Sequence, residues 1–169
     1  MDIQFMDIQA AQEAEQLLEY AYYCLNRGEL AEAEEAAQEA RDLFDELRVV
    51  AGSAQSRWLL GFIQYSYGEY KAALPLLASA QQQFASVGLT RQQCATLYLL
   101  AHCHLGLARP SKAIYSLKLA KTALQSHNEE SIPLQTGNNR FLPDIKTLTE
   151  LITGLLLELE QEQQGEDRE

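Results

Sequence analysis

The densest group of reactive side chains in this sequence is His102-Cys103-His104, with further cysteines at Cys24 and Cys94. Imidazole and thiolate groups are ligands for zinc and for soft transition metals. Adjacent residues on a helix point in different directions, so these three do not close easily on one tetrahedral ion. His104 also falls in register with Cys24 and Gln64, which reads as a packing position. The sequence has no phosphate-binding glycine loop, no zinc-protease helix and no nucleophile elbow. Glu32, Glu34, Glu35 and Glu39 crowd one helical segment and read as a solvated face. The reading is therefore of a protein with no catalytic residues, no metal site and no cofactor.

Charge and composition narrow the remaining classes. Thirteen basic and 24 acidic residues give a formal net charge of −11. No basic patch is present, which argues against nucleic acid as a partner and against anionic membrane surfaces. A basic partner would be steered inward. Three cysteines, each within an apolar helical pattern, do not make a disulfide framework. Together with a first segment that lacks the layout of a signal peptide, they point to the reducing cytoplasm. The longest apolar stretch, around Leu155–Leu157, is too short to span a bilayer, so no membrane insertion is expected.

The elements that would position a site are helical. Ala, Leu, Glu and Gln dominate, and they favour helices. Small residues recur with a period of forty: Ala33, Ala73 and Ala113; Ala40, Ala80 and Ala120; Ala21, Gly61 and Ala101; Gly28, Gly68 and Ala108. Such self-similarity marks a stack of helical hairpins. Helices are predicted over about 8–27, 29–47, a third segment ending at Tyr67, 70–87, 90–106, 110–126 and 144–161. Gly28, Gly68 and Gly88 close helices, a turn is placed around Gly52 and Ser53, and Thr90 with Gln93 reads as a capping box. Pro110 can open the sixth helix. Residues 127–143 read as a loop, because two Pro, a Gly and three Asn interrupt the pattern.

These spacings resemble the tetratricopeptide repeat. The middle unit carries the resemblance best, with Trp58, Leu60-Gly61, Gly68-Glu69-Tyr70, Ala73-Leu74, Leu77 and Ala80. Unit one matches through Tyr20-Ala21, Gly28-Glu29-Leu30, Ala33, Ala37 and Ala40, and unit three through Leu100-Ala101, Ala108, Ala113-Ile114, Leu117 and Ala120. The spacings inside each unit are those of the family. The extra residues fall between units, as in the long repeats of kinesin light chains and of bacterial peptide-sensing regulators. Trp58 stands one place later than the family's Trp, and unit three has Ala108-Arg109-Pro110 in place of the turn glycine. The resemblance implies an all-α, right-handed superhelical stack of three hairpins (about 14–47, 54–87 and 94–126). A C-terminal capping helix (144–164) and a disordered tail (165–169) follow.

In that family the first helices of successive hairpins line a concave groove that holds part of another protein. Carried over, the groove positions fall on Leu18, Tyr22, Leu25 and Asn26 in unit one, with Glu15 beside them. Unit two supplies Trp58, Phe62 and Tyr65, flanked by Gln55 and Ser66; unit three supplies Tyr98, His102 and Leu105, flanked by Ala95 and Gly106. Trp58, Phe62 and Tyr65 lie at i, i+4 and i+7, on one helix face. Aromatic surfaces are where binding hot spots concentrate, and this one suits a peptide or amphipathic helix with apolar anchors. The Lys, Arg and Asn clamp with which some members hold a carboxylate is missing. Tyr20, Tyr23 and Leu60 are assigned instead to packed core.

The last helix carries Ile145, Leu148, Ile152, Leu155 and Leu159 at 3-4-3-4 spacing, with Leu151, Leu156 and Leu157 outside that seam. It caps the stack or, alternatively, joins two chains through residues 144–160, and the groove is either open or filled by this helix or by a second subunit. The function expected is a protein-binding adaptor or assembly factor. Two alternatives are a chaperone similar to the class II chaperones of type III secretion, which residues 103–120 resemble in style, and a peptide-sensing regulator.

Overall fold

The length of each helix follows from where the chain can reverse. In the computed structural model, which describes residues 2–126 and 142–166, seven helices occur among the described residues. They are α1 (Asp2–Asn26), α2 (Leu30–Glu46), α3 (Val50–Ser66), α4 (Tyr70–Ser86), α5 (Thr90–Gly106), α6 (Pro110–Gln125) and α7 (Ile145–Glu166). Helices α2 to α6 begin at residues 30, 50, 70, 90 and 110, so the backbone repeats every 20 residues. The 40-residue sequence period is two such half-units.

Five equivalent turns make that spacing. The chain passes through the left-handed region at Gly28, Arg48, Gly68, Gly88 and Ala108, with φ of 76°, 57°, 77°, 73° and 54°. After each, an amide donates back across the turn to the helix just ended: Glu29 to the carbonyl of Cys24, Val49 to Phe44, Glu69 to Gln64, Leu89 to Phe84 and Arg109 to His104, at 2.8–3.0 Å. This is the Schellman pattern, which satisfies carbonyls that a helix end would leave open. The second turn is therefore at Arg48 rather than around Gly52 and Ser53. Both of those residues are buried in α3, where a Cβ on Gly52 would come within 2.5 Å of the Phe44 ring. Gly52 thus serves close packing. Thr90 is the first residue of α5, Leu89 holds the N-cap position, and no side-chain cap bond forms, so the expected capping box is absent. Pro110 opens α6, where its missing amide hydrogen costs nothing.

Each helix packs on the one before it and the one after, with slight contact between α1, α3 and α5; α7 packs on α6 and touches α5. The architecture is an all-α repeat. Three of the small-residue series are the places where helix surfaces meet: Ala21, Ala33, Ala40, Ala73, Ala80, Ala101, Ala113 and Ala120 are fully buried. Gly61 shows why a side chain is excluded there, since an added Cβ would sit 2.6 Å from Leu77. The fourth series, Gly28, Gly68 and Ala108, is exposed and serves the turns.

Two sequence expectations about burial are corrected. Tyr20 and Tyr23 are not core but 51% and 56% exposed. They occupy the register of Leu60 and Ile63, which are buried in a cluster with the alanine stripe of α2. No helix precedes α1 among the described residues to cover them. On α7 the buried positions are Leu148, Ile152, Leu156 and Leu159, while Ile145 is exposed and Leu155 half-buried, so the seam lies one position away at its centre. Leu60 is buried as expected. Residues 127–141 of the expected loop and 167–169 of the tail lie outside the described residues.

Candidate functional site

Equal repeats put equivalent residues side by side. Helices α1, α3 and α5 alternate with α2, α4 and α6, and their equivalent positions are 40 residues apart. Leu18, Trp58 and Tyr98 make one row; Tyr22, Phe62 and His102 a second; Leu25, Tyr65 and Leu105 a third. Within a helix the rows are three or four residues apart and share a face.

The rings meet as this register requires. Trp58 stacks on Phe62 with centroids 5.5 Å apart, and Phe62 lies 6.4 Å from Tyr65. Tyr65 reaches across to His102 on α5 at 6.5 Å, and His102 takes the edge of Tyr98 at 4.6 Å. These offset and edge contacts are the favourable geometries for aromatic pairs. All five rings, with Leu105 and Tyr22, are half-buried, so each packs on one side and meets solvent on the other. Leu18 and Leu25 are buried beneath the surface as part of the α1–α2 core, and Asn26 is exposed where α1 ends. Unit one thus gives the surface mainly Tyr22 and Asn26, while units two and three carry the aromatic group.

Tyr70 was not among the expected residues. Its ring lies 5.6 Å from Tyr65 and rests against Gly106, where a Cβ would collide with it. A glycine in the last turn of α5, where Asn26 and Ser66 stand in the other units, was the available signal for that close contact.

The electrostatics of this surface are those of neutral groups. Burial lowers the His102 pKa from its ordinary 6.5, so the imidazole is uncharged at neutral pH. Burial likewise raises the phenols of Tyr22, Tyr65 and Tyr98, which stay protonated. Hydrogen-bond donors and π-faces without a fixed charge can hold apolar, aromatic or cationic side chains, the last through cation–π contact. A lone carboxylate would find no counter-charge among these rings.

The sulfur and imidazole group does not assemble into a site. His102 lies on the aromatic face, Cys103 is fully buried and His104 half-buried. Burial pushes the Cys103 thiol up to about 11 and the Cys94 thiol to about 12. Among the described residues no three His, Cys, Asp or Glu side chains are grouped to hold a metal ion. Nor is any helix among them long and apolar enough to cross a membrane.

Helix α7 does not cover the aromatic rows of α3, because it packs only on α6 and α5. Concavities among the described residues lie away from these rows. One, of about 590 Å³, is between the start of α1 and the α2–α3 turn, with Met6, Ile8, Leu43 and Val49 in its wall. Another, of about 150 Å³, lies between α6 and α7. No protein-family model matches the sequence, and neither a curated protein nor a solved structure matches it.

Proposed function

We propose that this protein is a non-enzymatic binding module, an adaptor or assembly factor of the cytoplasm, which holds a peptide or helical segment of a partner protein on the aromatic surface of α1, α3 and α5. The reading takes the hairpins as a tetratricopeptide-like, right-handed stack in which that surface is concave. The observation that supports it best is the half-buried aromatic group of Trp58, Phe62, Tyr65, Tyr98 and His102, which α7 leaves open along α3. The rings pack by one side against the core and leave the other side for a ligand. A solvated face of a protein with net charge −11 would carry Glu and Asp there.

The ligand chemistry follows from the surface. Apolar or aromatic anchors fill the spaces between rows, and a basic residue gains both cation–π contact and attraction from the acidic body. Trp58 is the single tryptophan of the chain and reports on its own site. The test is selection from a displayed random-peptide library against the wild type, followed by titration of the selected peptides with Trp58 emission as the signal. Peptides that shift Trp58 emission and lose affinity on Tyr98→Ala support the reading. Peptides that bind Trp58→Ala/Tyr98→Ala as tightly as wild type refute it.

A further inference from the structure

The outer face of α1 differs from every equivalent face in the molecule. Glu13, Gln16, Tyr20, Tyr23 and Arg27 fall at 3-4-3-4 spacing, and all five are exposed. Forty residues on, Ser53, Ser56, Leu60 and Ile63 occupy the first four of these positions and are buried. Eighty residues on, Thr96, Leu100 and Cys103 are buried in the same register. In both internal units the preceding helix supplies the cover, α2 for α3 and α4 for α5. The register of this fold therefore makes the α1 stripe a helix-docking face.

Its chemistry is that of a reversible interface. Tyr20 and Tyr23 stack in solvent with ring centroids 6.3 Å apart, and the Arg27 guanidinium lies over Tyr23 at 5.5 Å. Tyr and Arg are the residues that interfaces favour. Gln16 and both phenols can donate and accept hydrogen bonds, so the stripe complements a copy of itself. Its two charges have opposite sign and stand at its two ends.

We infer that two copies of this chain pair through the outer faces of their α1 helices, antiparallel about a two-fold axis at Tyr20. Read in the opposite direction the 3-4-3-4 seam becomes 4-3-4-3, so an antiparallel copy matches it to within one residue. With the axis at Tyr20, Glu13 of each chain stands opposite Arg27 of the other and Tyr20 opposite itself, and Gln16 lies one residue's rise from the other chain's Tyr23. One symmetry operation thereby makes two ion pairs, in which each charge is compensated once, as an isologous contact requires. Arg27 already meets Glu29 at 2.7 Å, but that pair is exposed, and a guanidinium has donors to spare for a second carboxylate. The overlap is short, spanning 13–27 of each chain, so the dimer is a weak one that forms at high micromolar concentration. This contact is separate from the aromatic rows and from α7, and it stands or falls independently of the peptide-binding role.

Sedimentation equilibrium of the full chain up to about 300 μM tests it, in the range where weak complexes populate. The average mass should rise from 19.0 kDa toward twice that value. Arg27→Glu, which sets Glu13 against a second carboxylate, should weaken association by about tenfold or more. The exchanged variant Glu13→Arg/Arg27→Glu should restore it to within about threefold of wild type. All these positions are exposed, and thermal melts will confirm that each variant is folded. The inference is overturned if the wild type stays at 19.0 kDa throughout. It is equally overturned if Arg27→Glu associates as the wild type does or if the exchange fails to restore pairing. Association lost in Leu157→Glu but kept in Arg27→Glu would move the contact to α7 and overturn it too.

Discussion

Replacing Arg48 and Ala108 by glycine should stabilise this protein, although neither change adds a contact. Both residues hold φ above 50° in turns whose three equivalents are glycines. A side chain in the left-handed region costs about 1–2 kcal/mol. Glycine removes that cost but gives the unfolded chain more freedom, which returns about 0.5–1 kcal/mol. The net gain is about 0.5–1 kcal/mol at each turn. Arg48 and Ala108 belong to separate turns with no shared partner, so the effects should add, giving about 1–2 kcal/mol. For a chain of this size that raises the melting midpoint by about 2–8 °C. Thermal and urea unfolding followed by far-ultraviolet circular dichroism measure it, and an unchanged urea slope shows that stability changed without a change in the surface exposed on unfolding. Gly88→Ala is the opposing control. Its φ of +73° should make it lose about 1 kcal/mol, even though nothing lies within 4 Å of an added Cβ. A lower midpoint for Arg48→Gly, or a neutral Gly88→Ala, would refute the claim that five equivalent turns set the 20-residue spacing.

Other outcomes are equally open to measurement. Gly61→Leu should destabilise by about 1–3 kcal/mol or more in urea unfolding, because the side chain must displace Leu77; a neutral result would mean the α3–α4 contact is loose. The Asp45 carboxyl is held below its ordinary value by Arg57, 2.6 Å away, against some burial, and Ser53 assists. A depressed carboxylate contributes stability above its unfolded pKa of about 4 and loses it as pH falls through the folded value. Asp45→Asn should therefore cost under about 1 kcal/mol at pH 7, since the pair is partly exposed, and nothing once the wild-type carboxyl is protonated. The His102 imidazole should titrate in NMR spectra below its ordinary 6.5, and a midpoint at or above that value would contradict its burial. Because the unfolded chain takes up that proton first, stability should fall as pH drops below about 6.5. Cys94 and Cys103, with thiols pushed up to about 12 and 11, should react with a disulfide reagent only on unfolding.

Much of this architecture was legible because repeats write each requirement several times. The ends of α2, α4 and α6 and the start of α4, α5 and α6 fall within a residue or so of where spacing and punctuation placed them. The half-period of 20 is not written in glycines, because Arg48 and Ala108 occupy two of the five turns, and Gly52 serves close packing rather than a turn. Tyr20 and Tyr23 show a different limit. Their register was read correctly, but burial depends on whether a neighbouring helix exists, and periodicity within one unit does not encode that. The expected rows came from carrying the groove positions of the resembling family onto this register, which does not reach Tyr70, because its contact with Tyr65 joins a second helix to the surface of the first.

The central claim is that the rows on α1, α3 and α5 bind a partner segment. Its most direct test is the affinity of a library-selected peptide for wild type, Tyr98→Ala and Tyr115→Ala, the last removing a ring from the exposed side of α6, where it is 66% accessible. The account predicts a loss of about tenfold or more for Tyr98→Ala, as befits a hot-spot aromatic, with Tyr115→Ala unchanged. Equal affinity for Tyr98→Ala and wild type, or a comparable loss at Tyr115, would contradict it.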